Sequence, residues 1–593
     1  MSFRLNPINL KEDGSLADAQ MSLFSGFSAL SDRYRRDLQK GWAGQFRTLI
    51  MPYIDEEPYR VLYSTEPSRS NTPVNVLLGA IILKFMKGIP NDDDLREKIC
   101  FDMEYRYALC CETTGKAPVS DNAFTRFRQA CIQHYINTGE DLVHQTFLSL
   151  KDKFAKLMEV DQTLFSMDST MIDMWARDMS RLEILYTNNE LMIRAITGMA
   201  VHKRAPKTKT VKHSIDIIDG QLSIVGCVGG ADGTEALRSF EEERLQDAEA
   251  AKKLLPDSLH RYLNAETKNI TTYHSGDPYG DRVAAVIADA ETLAALCSDR
   301  PEYQKYPYYA TFARILNEQC KKDEGGAYVP KGKGDGMDSG MAQSPHDTDA
   351  TFRKKDGDEH RGYVTGFTQA KNADGETLVM DYNVEKNNVS DQTLGADLLK
   401  GMRADGNEEK IVCVGDGLFN SEGMQQVARD ENIEIINTNL TGKTPEDHCA
   451  DHKFDGDGKL TQCAGGATPV DAKINKDGSC TARINKDDCS TCPYSDKCGK
   501  KERAEYNSLK TSVKTKERAE YLRGRDTDDF KKYSSFRNGV ETIPSILKNV
   551  YHANSERGMG LAAKKLAIGF MYIAMNVSKV LNFASRRMNY AQN

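Results

Sequence analysis

Three acids and two cations in this chain have types and spacings that could form a reaction centre. Arg537, Glu541 and Lys548 fall at i, i+4 and i+11, in a segment whose apolar residues at 540, 543, 546, 547 and 550 trace a helical stripe. One helix would set the carboxylate between the two cations. Pro544 fits best in a first turn, which predicts a helix starting near Glu541 with Arg537 in the lead-in turn. Taken alone, the segment is better explained by a solvated ion pair on an amphipathic helix, since such pairs are common and worth little. Two upstream stretches sharpen it. Residues 165–172 alternate in part like a half-buried strand, with Asp168 in the middle. Residues 411–414 are an apolar run that ends in Gly415-Asp416-Gly417, the way a buried strand delivers a carboxylate to its C-terminal end. Three carboxylates can hold two divalent cations for in-line phosphoryl displacement. Asp161 and Asp173 flank Asp168, and spacing alone does not separate them from it. Asp381 ranks lower because it falls mid-strand.

With these motifs the chain resembles the bacterial insertion-sequence DDE transposases. Asp168 in Met-Asp-Ser-Thr-Met-Ile matches the family's first acid, Asp416 in Gly-Asp-Gly-Leu-Phe-Asn-Ser the second, and Glu541 in Arg-Asn-Gly-Val-Glu the third. Arg537-x3-Glu541-x6-Lys548 fits the spacing of the Tyr-Arg-Glu-Lys signature, with Tyr533 one residue further from the arginine than usual. The likeness runs from about residue 45 to about 583. It implies an α/β fold: an RNase H-like mixed sheet with a helical N-terminal domain, a large helical insertion and a cysteine-rich insertion. It also implies metal-dependent strand cleavage and transfer on DNA, with Asp168, Asp416 and Glu541 holding two Mg²⁺ or Mn²⁺ ions. Arg537 and Lys548 would contact phosphate. The expected partners are terminal inverted repeats and target DNA, met by a homodimer on the element ends. A plain RNase H-like nuclease and a decayed, non-enzymatic DNA-binding relative are the alternatives.

The elements that must position these residues can be read in order. The expected division is a leader over 1–44, a helical DNA-binding domain over 45–145, and a catalytic domain over 160–593 with insertions at about 177–345 and 443–530. Residues 73–84 read as a buried helix opened by Pro73, and 92–99 as a second helix. In 118–128, Phe124 and Phe127 should face inward and Arg126 and Arg128 outward, a pattern that suits either a DNA-reading helix or an ordinary packing helix. A hairpin is expected around Asn372-Ala373-Asp374-Gly375, then a crossover helix from Asp391, the Asp416 strand and a last strand near 434–438. Residues 331–347, rich in Gly, Asp and Ser, read as a mobile linker.

Composition bounds the rest. With 593 residues, 39% hydrophobic and 28% charged, the chain is of globular type with room for several cores. The N-terminus lacks a signal-peptide core, and the apolar stretch 566–583 reads as a core helix, so a cytoplasmic protein without a membrane partner is expected. Net charge is −8, yet residues 501–593 hold 18 Lys+Arg against 9 Asp+Glu, a local +9 that leaves −17 elsewhere. Residues 202–212 form a second basic run. Phosphate binding needs such local charge rather than a basic whole. Six of the 14 cysteines lie between 449 and 498. Cys480, Cys489, Cys492 and Cys498 are the expected ligands of one structural Zn²⁺, with Cys463 as substitute; free thiols and redox chemistry are the alternatives. His448 and His452 are expected to be solvated.

Overall fold

In the computed structural model the Asp168 segment is a ten-residue strand, β1 (Leu164–Asp173). The structure describes residues 1–8, 27, 30–66, 68–111, 117–176, 178–198, 214–218, 221–225, 246, 249–263, 270–271, 278–332, 334–355, 357–403, 409–419, 421–438 and 444–592. The basic run at 202–212 therefore lies outside the described residues. Along β1 the polarity alternates but the burial does not. Ser166, Asp168 and Thr170 are as hidden as Phe165, Met167 and Met171. A half-buried strand was the expectation, and the difference comes from helices on both faces of the sheet.

Five strands follow in that sheet: β2 (Thr351–Lys355), β3 (Asp358–Lys371), β4 (Thr377–Lys386), β5 (Ile411–Gly415) and β6 (Ile433–Asn437). β1 is antiparallel to β3 on one side and parallel to β5 on the other, and β6 extends the sheet parallel to β5. β4 pairs with β3, and β2 lies against its first residues. Two antiparallel neighbours followed by two parallel strands is the RNase H-like order. The turn between β3 and β4 is closed by the Gly375 N–H donating to the Asn372 carbonyl at 3.0 Å, as its sequence dictates.

The two faces of β4 show what covers the sheet. Asn383 donates to the Leu394 carbonyl of the crossover helix Asp391–Lys400. Its neighbour Tyr382 points the other way and stacks on Tyr572 of the C-terminal helix Leu561–Gln592, ring centroids 4.7 Å apart. Gly569 permits that approach, since a Cβ there would stand 2.5 Å from the Tyr382 hydroxyl. The C-terminal helix is long and apolar enough to cross a membrane by composition, but 83% of its apolar window is buried in this protein, so it reads as the core helix its sequence predicts.

The helix opened by Pro73 spans Val74–Met86 and is buried nearly all round. Together with Ala123–Thr138 and Leu142–Met158 it joins the same hydrophobic core as β1, β3, β4 and the C-terminal helix. A second core is closed by Arg181–Thr197, Tyr279–Asp299 and Tyr309–Gln319. Residues 331–347, expected as a mobile linker, are anchored instead. Met341, Ala342, Ser344 and Asp347 are buried, and Asp347 accepts from the Tyr363 hydroxyl and, at 3.1 Å, from the Gly560 N–H. Their Gly and Asp content serves turns: the Asp335 and Asp338 carboxylates accept the N–H groups of Gly332 and Gly340.

One buried ion pair ties the sheet to the crossover helix. Asp391, 4% exposed, accepts from Arg353 Nη2 on β2 at 2.6 Å and from Ser169 Oγ on β1 at 2.8 Å. Removing one partner of such a pair strands a buried charge. Arg353→Ala should therefore cost on the order of 3 kcal/mol in urea denaturation, and Arg353→Lys less, because it keeps the charge.

Candidate active site

The register of β1 and β5 brings the first two acids together. Leu164 pairs with Val412 and Ser166 with Val414, and the same offset carried two residues on sets Asp168 beside Asp416. Asp416 is the first residue past β5, at the strand's C-terminal end as expected. Glu541 reaches the same place from the far side of the cysteine-rich insertion. Its segment is helical from Asp528: an α-helix to Asn538, a 3-10 turn over Gly539–Glu541, a short α-turn over Thr542–Ser545 and a π-turn over Ile546–Val550. The helix was expected to begin near Glu541, with Arg537 in a lead-in turn. It begins earlier because Pro544 falls in the first turn after a tightened 3-10 stretch, where its missing N–H is tolerated.

Arg537 is where the three acids meet. Its Nη1 lies 2.8 Å from Glu541 Oε1. Its Nη2 lies 3.1 Å from Asp168 Oδ2 and 4.0 Å from Asp416 Oδ2. The side chains are graded in exposure: Asp168 10%, Asp416 22% and Glu541 63%, with Arg537 at 11%. Asp168 also accepts the Ser169 N–H at 2.8 Å. Burial pushes the Asp168 carboxyl up to about 6, with Arg537 and the Ser169 N–H opposing and Glu541 and Asp416 adding to the rise.

The rival acids are engaged elsewhere. Asp381 accepts from His144 Nε2 at 2.7 Å. Asp173 accepts from Asn554 Nδ2 at 2.8 Å, and Asp161 caps the turn at Thr163. Lys548 lies near Asp173. It sits half-buried in the π-turn, where burial lowers its ammonium below the ordinary lysine value and Asp173 opposes that shift. In the Ala123–Thr138 helix Phe124 and Phe127 are buried and Arg126 is exposed, as its pattern predicts. Arg128 is not free on the surface. Its guanidinium pairs with Asp92, which also takes Lys84 Nζ at 2.7 Å. Sequence reasoning did not find the Arg353–Asp391–Ser169 chain behind Asp168, since only the fold brings its members together.

The cysteines divide differently from their spacing. Cys480 lies fully buried on the strand Cys480–Ile484, where its sulfur accepts the Leu460 N–H at 3.3 Å. It is absent from the small cavity lined by Cys463, Cys489, Cys492 and Cys498. His448 and His452 line that cavity too and are buried, not solvated. His448 stacks on Tyr494, and His452 Nδ1 accepts the Ala464 N–H at 2.9 Å.

Three carboxylates facing one guanidinium leave a surplus of negative charge on hard oxygen donors, which suits Mg²⁺ or Mn²⁺. The buried Nε of Arg537 has no hydrogen-bond partner, so the guanidinium is not fully satisfied where it sits. Among the described residues no three His, Cys, Asp or Glu side chains already surround one point at ligand distance. It is the Arg537 guanidinium that stands between the acids.

Sheet order and clustered acids define the class as RNase H-like α/β. Residues 463–581 match the family model described as a transposase DDE domain, and residues 36–130 match one described as a transposase domain. Both matches are to transposase families, and together they support an insertion-sequence DDE transposase. The first takes in Arg537 and Glu541; Asp168 and Asp416 lie outside it. No curated protein and no solved structure matches the chain.

The Asp168 carboxyl gives a pH test. Its folded value, about 6, lies above the ordinary aspartate value, so the folded state holds the proton more tightly. Its contribution is present in full below about pH 4 and is lost as pH rises past about 6. In chelator, wild type should lose about 3 kcal/mol more stability than Asp168→Asn between those limits. Urea denaturation across the range checks this.

Proposed function

We propose that the chain binds DNA ends and catalyses metal-dependent strand cleavage and transfer through Asp168, Asp416 and Glu541. The observation that carries this reading is the meeting of three acids, from distant parts of the chain, on the single guanidinium of Arg537. Asp168 and Asp416 would hold two divalent cations between them, and Glu541, the most exposed of the three, one of these. When bound, such ions supply an activated attacking oxygen and charge stabilisation at the leaving oxygen. The residues themselves do the rest. Asp168 must give up its proton, which the site favours once positive charge gathers there. Arg537 must leave the acids, and a scissile phosphate offers its guanidinium an alternative bidentate partner. Lys548 contacts phosphate nearby, positioning the strand without reading bases.

DNA-end recognition is assigned to residues 45–145, with Arg126 the exposed side chain on its helix and Arg128 recruited only if its pair with Asp92 opens. The basic 501–593 region supplies further phosphate contacts. The working form is a cytoplasmic homodimer on paired ends. Structural zinc belongs to the cysteine-rich insertion.

The test is cleavage of duplexes carrying the terminal repeats that flank the gene, with Mg²⁺. Alanine at Asp168, Asp416 or Glu541 should abolish cutting and leave binding of the same duplex no weaker. Cutting by Asp168→Ala at the wild-type rate would refute the assignment, and loss of binding with cutting would favour a structural role. Lys548→Ala should weaken binding to all sequences alike and lower the salt slope by roughly 1, as read from binding isotherms at several ionic strengths.

A further inference from the structure

The insertion between β6 and the Glu541 helices has too little apolar core to hold itself together. Its hydrophobic cluster has six buried members: Leu460, Cys480, Ala482, Ile484, Cys489 and Leu509. Two of these are thiols and one is an alanine. The framework is a four-stranded sheet, Asp471–Ile474, Cys480–Ile484, Asn507–Thr511 and Lys501–Glu502, with a hairpin over 453–462. An exposed arginine, Arg523, clips its entry by pairing with Asp447 at 2.9 Å and Asp451 at 2.8 Å. Exposed pairs contribute little. A unit this poor in core needs another source of order, and a bound metal is the usual one.

The cavity beside that cluster has the chemistry for it. It is about 20 Å³, the scale of one small ion, and four cysteines line it from two turns. The first turn presents Cys463, closed by the Gly466 N–H donating to the Cys463 carbonyl at 2.8 Å. The second presents Cys489, Cys492 and Cys498 as the helix Lys486–Ser490 ends. The turns are pressed together at Gly465. A Cβ there would stand 2.3 Å from Cys492 Sγ and 3.8 Å from Cys463 Sγ, so the two sulfurs lie within about 6 Å of each other. Only glycine allows that approach. A change of cysteine rotamer can bring both sulfurs onto one ion.

We propose that Cys463, Cys489, Cys492 and Cys498 bind one structural Zn²⁺, and that Cys480 does not. Each ligating thiol releases its proton to solvent, and the four thiolates surround Zn²⁺ tetrahedrally at about 2.3 Å. The excess negative charge is offset by Lys500, which lines the same cavity. His452 is not a ligand. Its Nδ1 accepts the Ala464 N–H, so Nε2 carries the proton of the neutral ring and offers no lone pair to the metal. His452 holds the Cys463 turn in place instead.

The test is metal analysis of the full-length protein, purified under reducing conditions without chelator. One zinc per chain is expected. Exchange into Co²⁺ should give the thiolate-to-metal absorption and strong visible bands of a tetrahedral thiolate site. Cys463→Ser and Cys492→Ser should lose the metal, whereas Cys480→Ser and Asp168→Asn should keep it. Retention in Asp168→Asn separates this site from the catalytic acids, so it can fail without touching the transposase reading. If the cysteine variants do not fold, the wild-type cobalt spectrum and the loss of Tm on chelation decide. Zinc well below one per chain with no thiolate bands would overturn the proposal. So would a site that survives Cys463→Ser and is lost in Cys480→Ser.

Discussion

The Arg537 guanidinium is shared by three carboxylates that would otherwise repel one another. Asp168 is nearly buried, and two further acids face it. Without a cation at that point the end of the sheet would carry three adjacent negative charges, and buried Asp168 sits where like charges cost most. Arg537 resolves this only in part. Asp168 still titrates near 6, and the buried Nε stays unpaired. The arrangement is thus left with surplus negative charge on hard oxygen donors, the charge state that suits a divalent ion.

The rest of the structure brings those four side chains together. The parallel register of β1 and β5 fixes the spacing of Asp168 and Asp416. The Arg353–Asp391–Ser169 chain holds β1 to the crossover helix directly behind Asp168. The long C-terminal helix joins the N-terminal helices to the same sheet in one core. The cysteine-rich insertion stands between β6 and the Arg537 helix.

Sequence reading went furthest where the signal is local. Asp416 after an apolar run, Asp168 in an alternating strand and the Asn372–Gly375 turn are all written in consecutive residues, and the sheet order follows from them. It failed where the deciding partner is remote. Arg128 looked free because Asp92 lies 36 residues away. Arg537 reads as a phosphate contact beside Glu541, and its contact with Asp168 is invisible in sequence because it spans 369 residues. Cys480 lies close to the C-x2-C pair in sequence, but strand alternation sends its sulfur into the core, while Cys463 reaches the pair through a turn. Gly and Asp in 331–347 suggest mobility, though buried Asp347 anchors that stretch to β3.

The central claim is that the three acids form one divalent-cation site whose place is now held by Arg537. Equilibrium Mn²⁺ binding to the full-length protein, followed by electron paramagnetic resonance, tests it without relying on turnover. Wild type should bind Mn²⁺, Asp168→Asn should lose that binding, and Arg537→Ala should bind more tightly because nothing then competes for the carboxylates. Mn²⁺ binding by Asp168→Asn equal to that of wild type would contradict the account.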